Sequence, residues 1–224
     1  MKKITGVFAL VIILALLFTG CDLFGSSFNA ADFVKGNIDS IYLGVHGKNF
    51  VDMVVDSEAD LVAAHEEGLR VEADFFMQFF EIEAEYIPNA MINEIVELFR
   101  EIYTHSKYEV GNAVKSGDTY LVSITIHPID IIQNILENDF EPFLEDWYEM
   151  GDRGEFEEMS PEEFESKWAR GIIDMIRGRM RSIGHLDPVT ISVQVVLSTA
   201  NRQNSYTIDE ADFSRIDAYI IAYS

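Results

Sequence analysis

Five histidines, one cysteine and 39 acidic side chains are the groups in this 224-residue chain whose types could do chemistry, and their spacing decides whether they do. The histidines are His46, His65, His105, His127 and His185. His65-Glu66-Glu67 has the start of a zinc-protease helix, but that site needs a second His four residues on, and position 69 is Leu. No Gly-rich phosphate loop and no Gly-x-Ser-x-Gly turn is present. The acid-rich stretch from Glu137 to Glu165 has the charge to attract calcium. Its best local match, Asp152-Arg153-Gly154-Glu155, lacks the alternating ligands of a calcium loop and puts Arg where a ligand is needed. These patterns assign no catalytic residue, no metal ligand and no cofactor, and the expectation is a non-enzymatic chain.

Two other features stand out for density. Lys167, Arg170, Arg177, Arg179 and Arg181 gather on one helical segment of a chain with only 16 basic residues. Their ordinary role is to complement the negative C-terminal end of a helix and to pair with surface acids. Arg177, Arg179 and Arg181 also form a candidate contact for an anionic membrane surface. The run Asp74-Phe75-Phe76-Met77-Gln78-Phe79-Phe80 places four Phe as two adjacent i, i+4 pairs. Such a stripe is core, or the wall of an apolar pocket.

The N-terminus gives an address. Met1-Lys2-Lys3 is a basic start, Val7 to Phe18 is an unbroken apolar run, and Thr19-Gly20 precede Cys21, the sole Cys. A basic start, a short apolar segment and small residues at a cut site describe an export signal. The run is short for a permanent span, which needs about 20 apolar residues. Leu17-Phe18-Thr19-Gly20-Cys21 resembles the lipobox of bacterial lipoproteins. That resemblance implies that Cys21 is the lipid-attachment residue and becomes the first residue after cleavage, with the protein held on the extracytoplasmic side of the cell membrane. Residues 1–20 are then the signal peptide, 21–27 a short tether and 28–224 one extracytoplasmic domain. Six residues after the lipid span at most about 20 Å, so the domain stays near the bilayer. Ser106-Lys107-Tyr108-Glu109-Val110 and Tyr206-Thr207-Ile208-Asp209-Glu210 are similar to segments of uncharacterised lipoproteins of Gram-positive bacteria, a resemblance that implies no known chemistry.

Net charge and apolar content narrow the rest. At -23, or -25 once Lys2 and Lys3 are removed, the chain is a poor partner for nucleic acid. Sixteen Phe and nine Tyr in a chain that is 48% hydrophobic supply a core that an acidic disordered tail lacks. With one Cys, no internal disulfide framework can form.

Helical periodicity runs from Asn29 to Leu43, from Asp56 or Ser57 to about Ile82, and from Pro88-Asn89 through Tyr103. A shorter helical segment is expected over Asn49 to Val55. The period then falls to two over Tyr108–Val114 and Thr119–His127, around a Lys115-Ser116-Gly117-Asp118 turn. Ile129 to Met150 returns to helix, with a kink or break near Asn138 to Pro142. Ser160-Pro161-Glu162-Glu163 opens a further helix to about Ile183, with Ser160 as N-cap and Phe164, Trp168, Ile172, Met175, Ile176 and Met180 inward. Val189 to Leu197 alternates strictly, Thr199 to Asn204 turns, Ser205–Ile208 is a last strand, and Asp209 caps a final helix. Grouped strands among grouped helices predict an α+β fold with an antiparallel sheet of about four strands, in the manner of cystatin-like or NTF2-like cones. The function this supports is a lipid-anchored binding or interaction domain for a protein or a small apolar ligand. The alternatives are a cell-envelope enzyme with a site not visible in the sequence, and a small solute-binding lipoprotein.

Overall fold

In the computed structural model of the chain, residues 20–21, 28–54, 56–198 and 205–223 are described. The apolar N-terminal run, tether residues 22–27 and the turn at 199–204 lie outside them. Side-chain caps set the helix starts, among them Asp209, whose Oδ1 accepts from the Ala211 and Asp212 N–H groups ahead of the last helix. Asn29 Oδ1 accepts from the backbone N–H groups of Ala31 and Asp32 to begin α1 (Ala30–Leu43). Ser57 and Ser160 each close a capping box, with Asp60 and Glu163, to begin α3 (Glu58–Phe79) and α7 (Pro161–Arg179). Satisfying these first-turn donors is worth about 1 kcal/mol per helix. Between α1 and α3 the short helix α2 (Lys48–Val51) is narrower than the expected Asn49–Val55 segment. Helix α4 (Asn89–Tyr103) follows.

Beyond it, β2 (Lys107–Ser116) and β3 (Thr119–His127) form the hairpin. The helical stretch after them is two helices, α5 (Ile131–Asn138) and α6 (Phe140–Asp152), broken at Asp139. Pro142 therefore sits in the first turn of α6, where its missing N–H removes no helical bond. β4 (Val189–Ser198), β5 (Ser205–Ile208) and α8 (Glu210–Ile220) complete the chain.

The sheet is antiparallel throughout. Its order is β5-β4-β3-β2, and the two-residue strand β1 (Gly20–Cys21) adds to the β5 edge through the pairs Gly20 with Tyr206 and Cys21 with Ser205. This is the expected α+β class, with that short edge strand added to the four. Val122, Ile124 and Ile126 of β3, with Ile191, Val193 and Val195 of β4, point to one face and are buried. Ser123, Ser192 and Gln194 point to the other and are exposed. The period of two predicts that split, because alternate side chains leave opposite faces. A bulge at Gly111-Asn112 sharpens the bend of β2. There a Cβ on Gly111 would come within 2.3 Å of Ser123 Oγ.

Helices α1 and α8 lie on the apolar face, and α3 and α4 pack against α1. The end of β3 is pinned to the C-terminus, where Ile129 exchanges backbone hydrogen bonds with Ile220 and Ala222 at 2.9 Å. One continuous apolar core draws side chains from α1 to α5, α7, α8, β3, β4 and β5. Helices α5, α6 and α7 form a group at its side. That group carries the pocket described next.

Candidate functional site

Residues that belong to one helix face in the sequence make an opening here instead of a closed seam. Phe140, Leu144, Trp147 and Tyr148 recur at i, i+4, i+7 and i+8 on α6, which is one stripe. Phe164, Glu165 and Trp168 face it from α7, and Phe79 and Phe80 at the end of α3 form the third wall. The three walls enclose an open pocket of about 530 Å³, with Glu81 and Glu83 completing the lining.

The Phe run of α3 thus divides between the two roles its spacing allows. Phe76 and Phe80 are buried, Phe79 is 38% exposed, and Phe79 and Phe80 face the pocket. On α7 the buried face is Glu165, Ala169, Ile172, Ile173 and Ile176, while Phe164, Trp168 and Met175 are only half-buried. This rotates the helix from its expected inward set. Ile172 and Ile176 of that set stay buried, while Phe164 and Trp168 line the pocket, Trp168 also packing on the edge of the core.

The aromatic walls are held in place. Trp168 Nε1 donates to the carbonyl of Phe80 at 2.9 Å, satisfying a C-terminal carbonyl of α3 while fixing the indole. Its ring centroid lies 5.1 Å from that of Trp147 and 5.2 Å from that of Phe143. Phe143 reaches this position because residue 171 is Gly, where a Cβ would come within 2.4 Å of the Phe143 ring.

Among the described residues, three carboxylates and no Lys, Arg or His line the pocket. Glu165 is 8% exposed, its Oε1 accepts from the Glu83 N–H at 2.7 Å, and burial raises its pKa above the ordinary carboxylate value. Its second oxygen has no partner among the described residues. Glu81 adopts φ 56°, the left-handed region. It does so because α3 ends in a Schellman turn, in which Ile82 N–H donates to Met77 O and Glu81 N–H to Gln78 O. Gly is the usual residue at that position, and a side chain there costs about 1–2 kcal/mol.

A second cluster of acids among rings lies deeper, between α1, α3, α4, α8 and the C-terminal segment. Glu72 accepts from Tyr103 Oη at 2.9 Å and from Tyr223 Oη at 2.5 Å, and Tyr42 Oη donates to Asp217 at 3.0 Å. Burial, with the nearby Asp217, lifts the Glu72 pKa to about 7. Burial lifts that of Asp217 to about 6. Both Glu72 oxygens are taken, while Asp217 receives one donor, the Tyr42 hydroxyl, among the described residues.

The residues singled out by sequence fall elsewhere. The Cys21 backbone lies at the β5 edge of the sheet. Arg177 pairs with Glu94 at 2.6 Å, a carboxylate that also takes a two-pronged bond from Arg170. Arg179 makes two 2.6 Å bonds to Asp139 at the start of α6. These bonds depress the Glu94 and Asp139 pKa values. Lys167 reaches Glu155 at 3.6 Å and lies over the Phe156 ring at 5.4 Å. Four of the five basic residues of this segment are therefore committed to carboxylates, and the exposed Arg181 alone has no partner among the described residues.

His65 is a structural group. Its Nδ1–H donates to Ile41 O at 2.8 Å, and Nε2 takes an Arg100 N–H at 3.3 Å while that Arg clamps Glu66. Among the described residues no three His, Cys, Asp or Glu side chains come together as a metal-binding group, and no helix is long and apolar enough to cross a membrane.

The α+β arrangement, with helices on one face of an antiparallel sheet and a lateral helical group, defines the class of domain. No protein-family model and no curated protein matches the sequence. Among solved structures, the fold is similar to that of ycdA, a candidate lipoprotein of Bacillus subtilis. The TM-score is 0.57 at 16% identity, covering 85% of this chain and 55% of that one. The likeness is one of fold, and this chain spans about half the length of that structure.

Proposed function

We propose that this chain is a lipid-anchored, extracytoplasmic binding domain that takes a small ligand into the aromatic pocket between α3, α6 and α7. The pocket carries the reading. It combines a volume in the range of small-molecule sites with rigid aromatic walls and a few placed polar groups. Its lining offers faces and acceptors but no nucleophile beside a base, so binding fits it better than catalysis. The pocket is formed by helices and the turn that follows α3, not between helices and a curved sheet as a cone fold would place it. The anchor rests on the basic start, the apolar run and the sole Cys at the cut position, and the likeness in fold to a candidate lipoprotein is consistent with it.

Trp147 and Trp168, the chain's only two tryptophans, both line the pocket, so intrinsic fluorescence reads occupancy directly. Titration of the anchored protein in a maltoside detergent with the neutral probe 4-phenylbutanol is expected to shift tryptophan emission saturably. Ligand-observed NMR should show the binding lost in Leu144→Trp, which fills the pocket. A linear response, or binding that survives in Leu144→Trp, overturns the pocket. For the anchor, labelled palmitate should be incorporated by the wild type and not by Cys21→Ser.

A further inference from the structure

We infer that the pocket selects organic ammonium cations with an apolar or aromatic body, a reading that deepens the proposed binding role and rests on it. The charge of the lining is one-sided. Among the described residues its acidic and basic side chains are Glu81, Glu83 and Glu165, all carboxylates, set among the ring faces of Trp147, Trp168 and Phe79. Ring faces carry negative potential and attract cations, most strongly those of Trp. An apolar anion would meet both the rings and the carboxylates as repulsion, and a neutral ligand would leave the carboxylates without a counter-charge.

Glu165 points to the same ligand. It is more than nine-tenths buried, lines the pocket, and satisfies only one oxygen within the protein, through the Glu83 N–H. Its second oxygen is bonded by no protein group among the described residues and is not sealed from solvent, so it is open to a donor or a cation that enters the pocket. The backbone adds a separate observation. Glu81 holds a left-handed conformation at a helix end where Gly would be relaxed, and the strain places a carboxylate on the pocket lining. The cluster already shows its affinity for ammonium on its outer side, where Lys167 Nζ lies over Phe156, a ring packed on Trp147. The pocket side has no such internal cation.

Three probes sharing one body isolate the charge: 4-phenylbutylamine, 4-phenylbutanol and 4-phenylbutyrate, titrated against the anchored full chain in maltoside at low salt and neutral pH. The amine is expected to bind about tenfold or more tighter than the alcohol, with the acid not measurable, since a desolvated cation gains from both rings and carboxylates. Glu81→Gln/Glu83→Gln/Glu165→Gln should bring amine and alcohol within about twofold, while Glu67→Gln/Glu101→Gln/Glu109→Gln, the same charge change outside the pocket, should leave the preference intact. Glu165→Gln alone keeps the acceptor for Glu83 N–H and should already lower the preference by about threefold, which tests the idea if the triple variant misfolds. Equal binding of amine and alcohol overturns the cation reading and leaves the pocket standing. A preference that survives the pocket triple variant, or vanishes in the outer one, reduces it to net charge and overturns it as well. Failure of all three probes overturns the pocket itself.

Discussion

Glu72 and Glu165 are buried to nearly the same degree, 9% and 8% exposed, and both sit among aromatic rings on a helix. What separates them is how their oxygens are satisfied. Both Glu72 oxygens receive a tyrosine hydroxyl. One Glu165 oxygen receives a backbone N–H, and the residue faces an open pocket. The rings differ in kind as well: the Glu72 cluster is built of Tyr, whose hydroxyls satisfy the acid internally, while the pocket lining is mainly Phe and Trp, none of which bonds Glu165 among the described residues. Burial alone therefore does not mark a site. An incomplete set of partners beside a cavity does.

The largest expected effect lies in the Glu72 cluster. Glu72→Ala leaves two buried hydroxyls without an acceptor and opens a void, and should lower stability by about 3–5 kcal/mol in urea unfolding. Glu165→Ala should cost only about 1 kcal/mol. Equal losses would break the comparison.

A pH series sharpens it. An acid whose folded pKa is raised holds its proton where the unfolded chain has released it, so stability is greatest near the unfolded value and is lost as pH rises to the folded one. For Glu72 that window runs from 4.5 to about 7, and for Asp217 from 3.8 to about 6. Unfolding free energy should therefore fall by about 3 kcal/mol between pH 4.5 and 7 from Glu72, with about 2 kcal/mol more from Asp217 between pH 4.5 and 6. Glu72→Gln should flatten most of that slope, and Glu165→Gln should change it far less. A slope unchanged in Glu72→Gln would place its source elsewhere.

Two smaller tests concern the pocket walls. Gly171→Ala pushes against Phe143 and should cost about 1–3 kcal/mol while altering tryptophan emission, because Phe143 packs on both Trp147 and Trp168. An unchanged emission spectrum would mean the wall tolerates the shift. Glu81→Gly relieves the left-handed side chain and should raise stability by about 1 kcal/mol in thermal melts while weakening amine binding. Stabilisation with unchanged amine binding would show that the strain has no bearing on the pocket.

Most elements were legible in the residues. Ser160-Pro161-Glu162-Glu163 specifies a helix start through contacts within four residues, and Lys115–Asp118 specifies a turn in the same way. The stripe Phe140, Leu144, Trp147, Tyr148 was also readable as a helix face, but nothing local says whether such a face closes onto a neighbour or stands off from it. The break at Asp139 falls within the expected Asn138–Pro142 stretch, but the bidentate bond that Asp139 makes there to Arg179, forty residues away, was not readable locally. The same bond, with that of Arg177 to Glu94, engages arginines that the sequence leaves free for a membrane surface.

The sequence by itself determined the acidic character, the α+β class, the order of helices and strands and the core face of the central hairpin, because each depends on composition or on a period within one segment. Tertiary structure alone decided which acids are satisfied and which are not. Glu72 finds Tyr223 across 151 residues, and Glu165 finds only the Glu83 N–H across 82. Whether three aromatic faces seal or leave a pocket depends on the rotation of α7 and on the room that Gly171 leaves for Phe143, which are properties of packing between helices and not of any one of them.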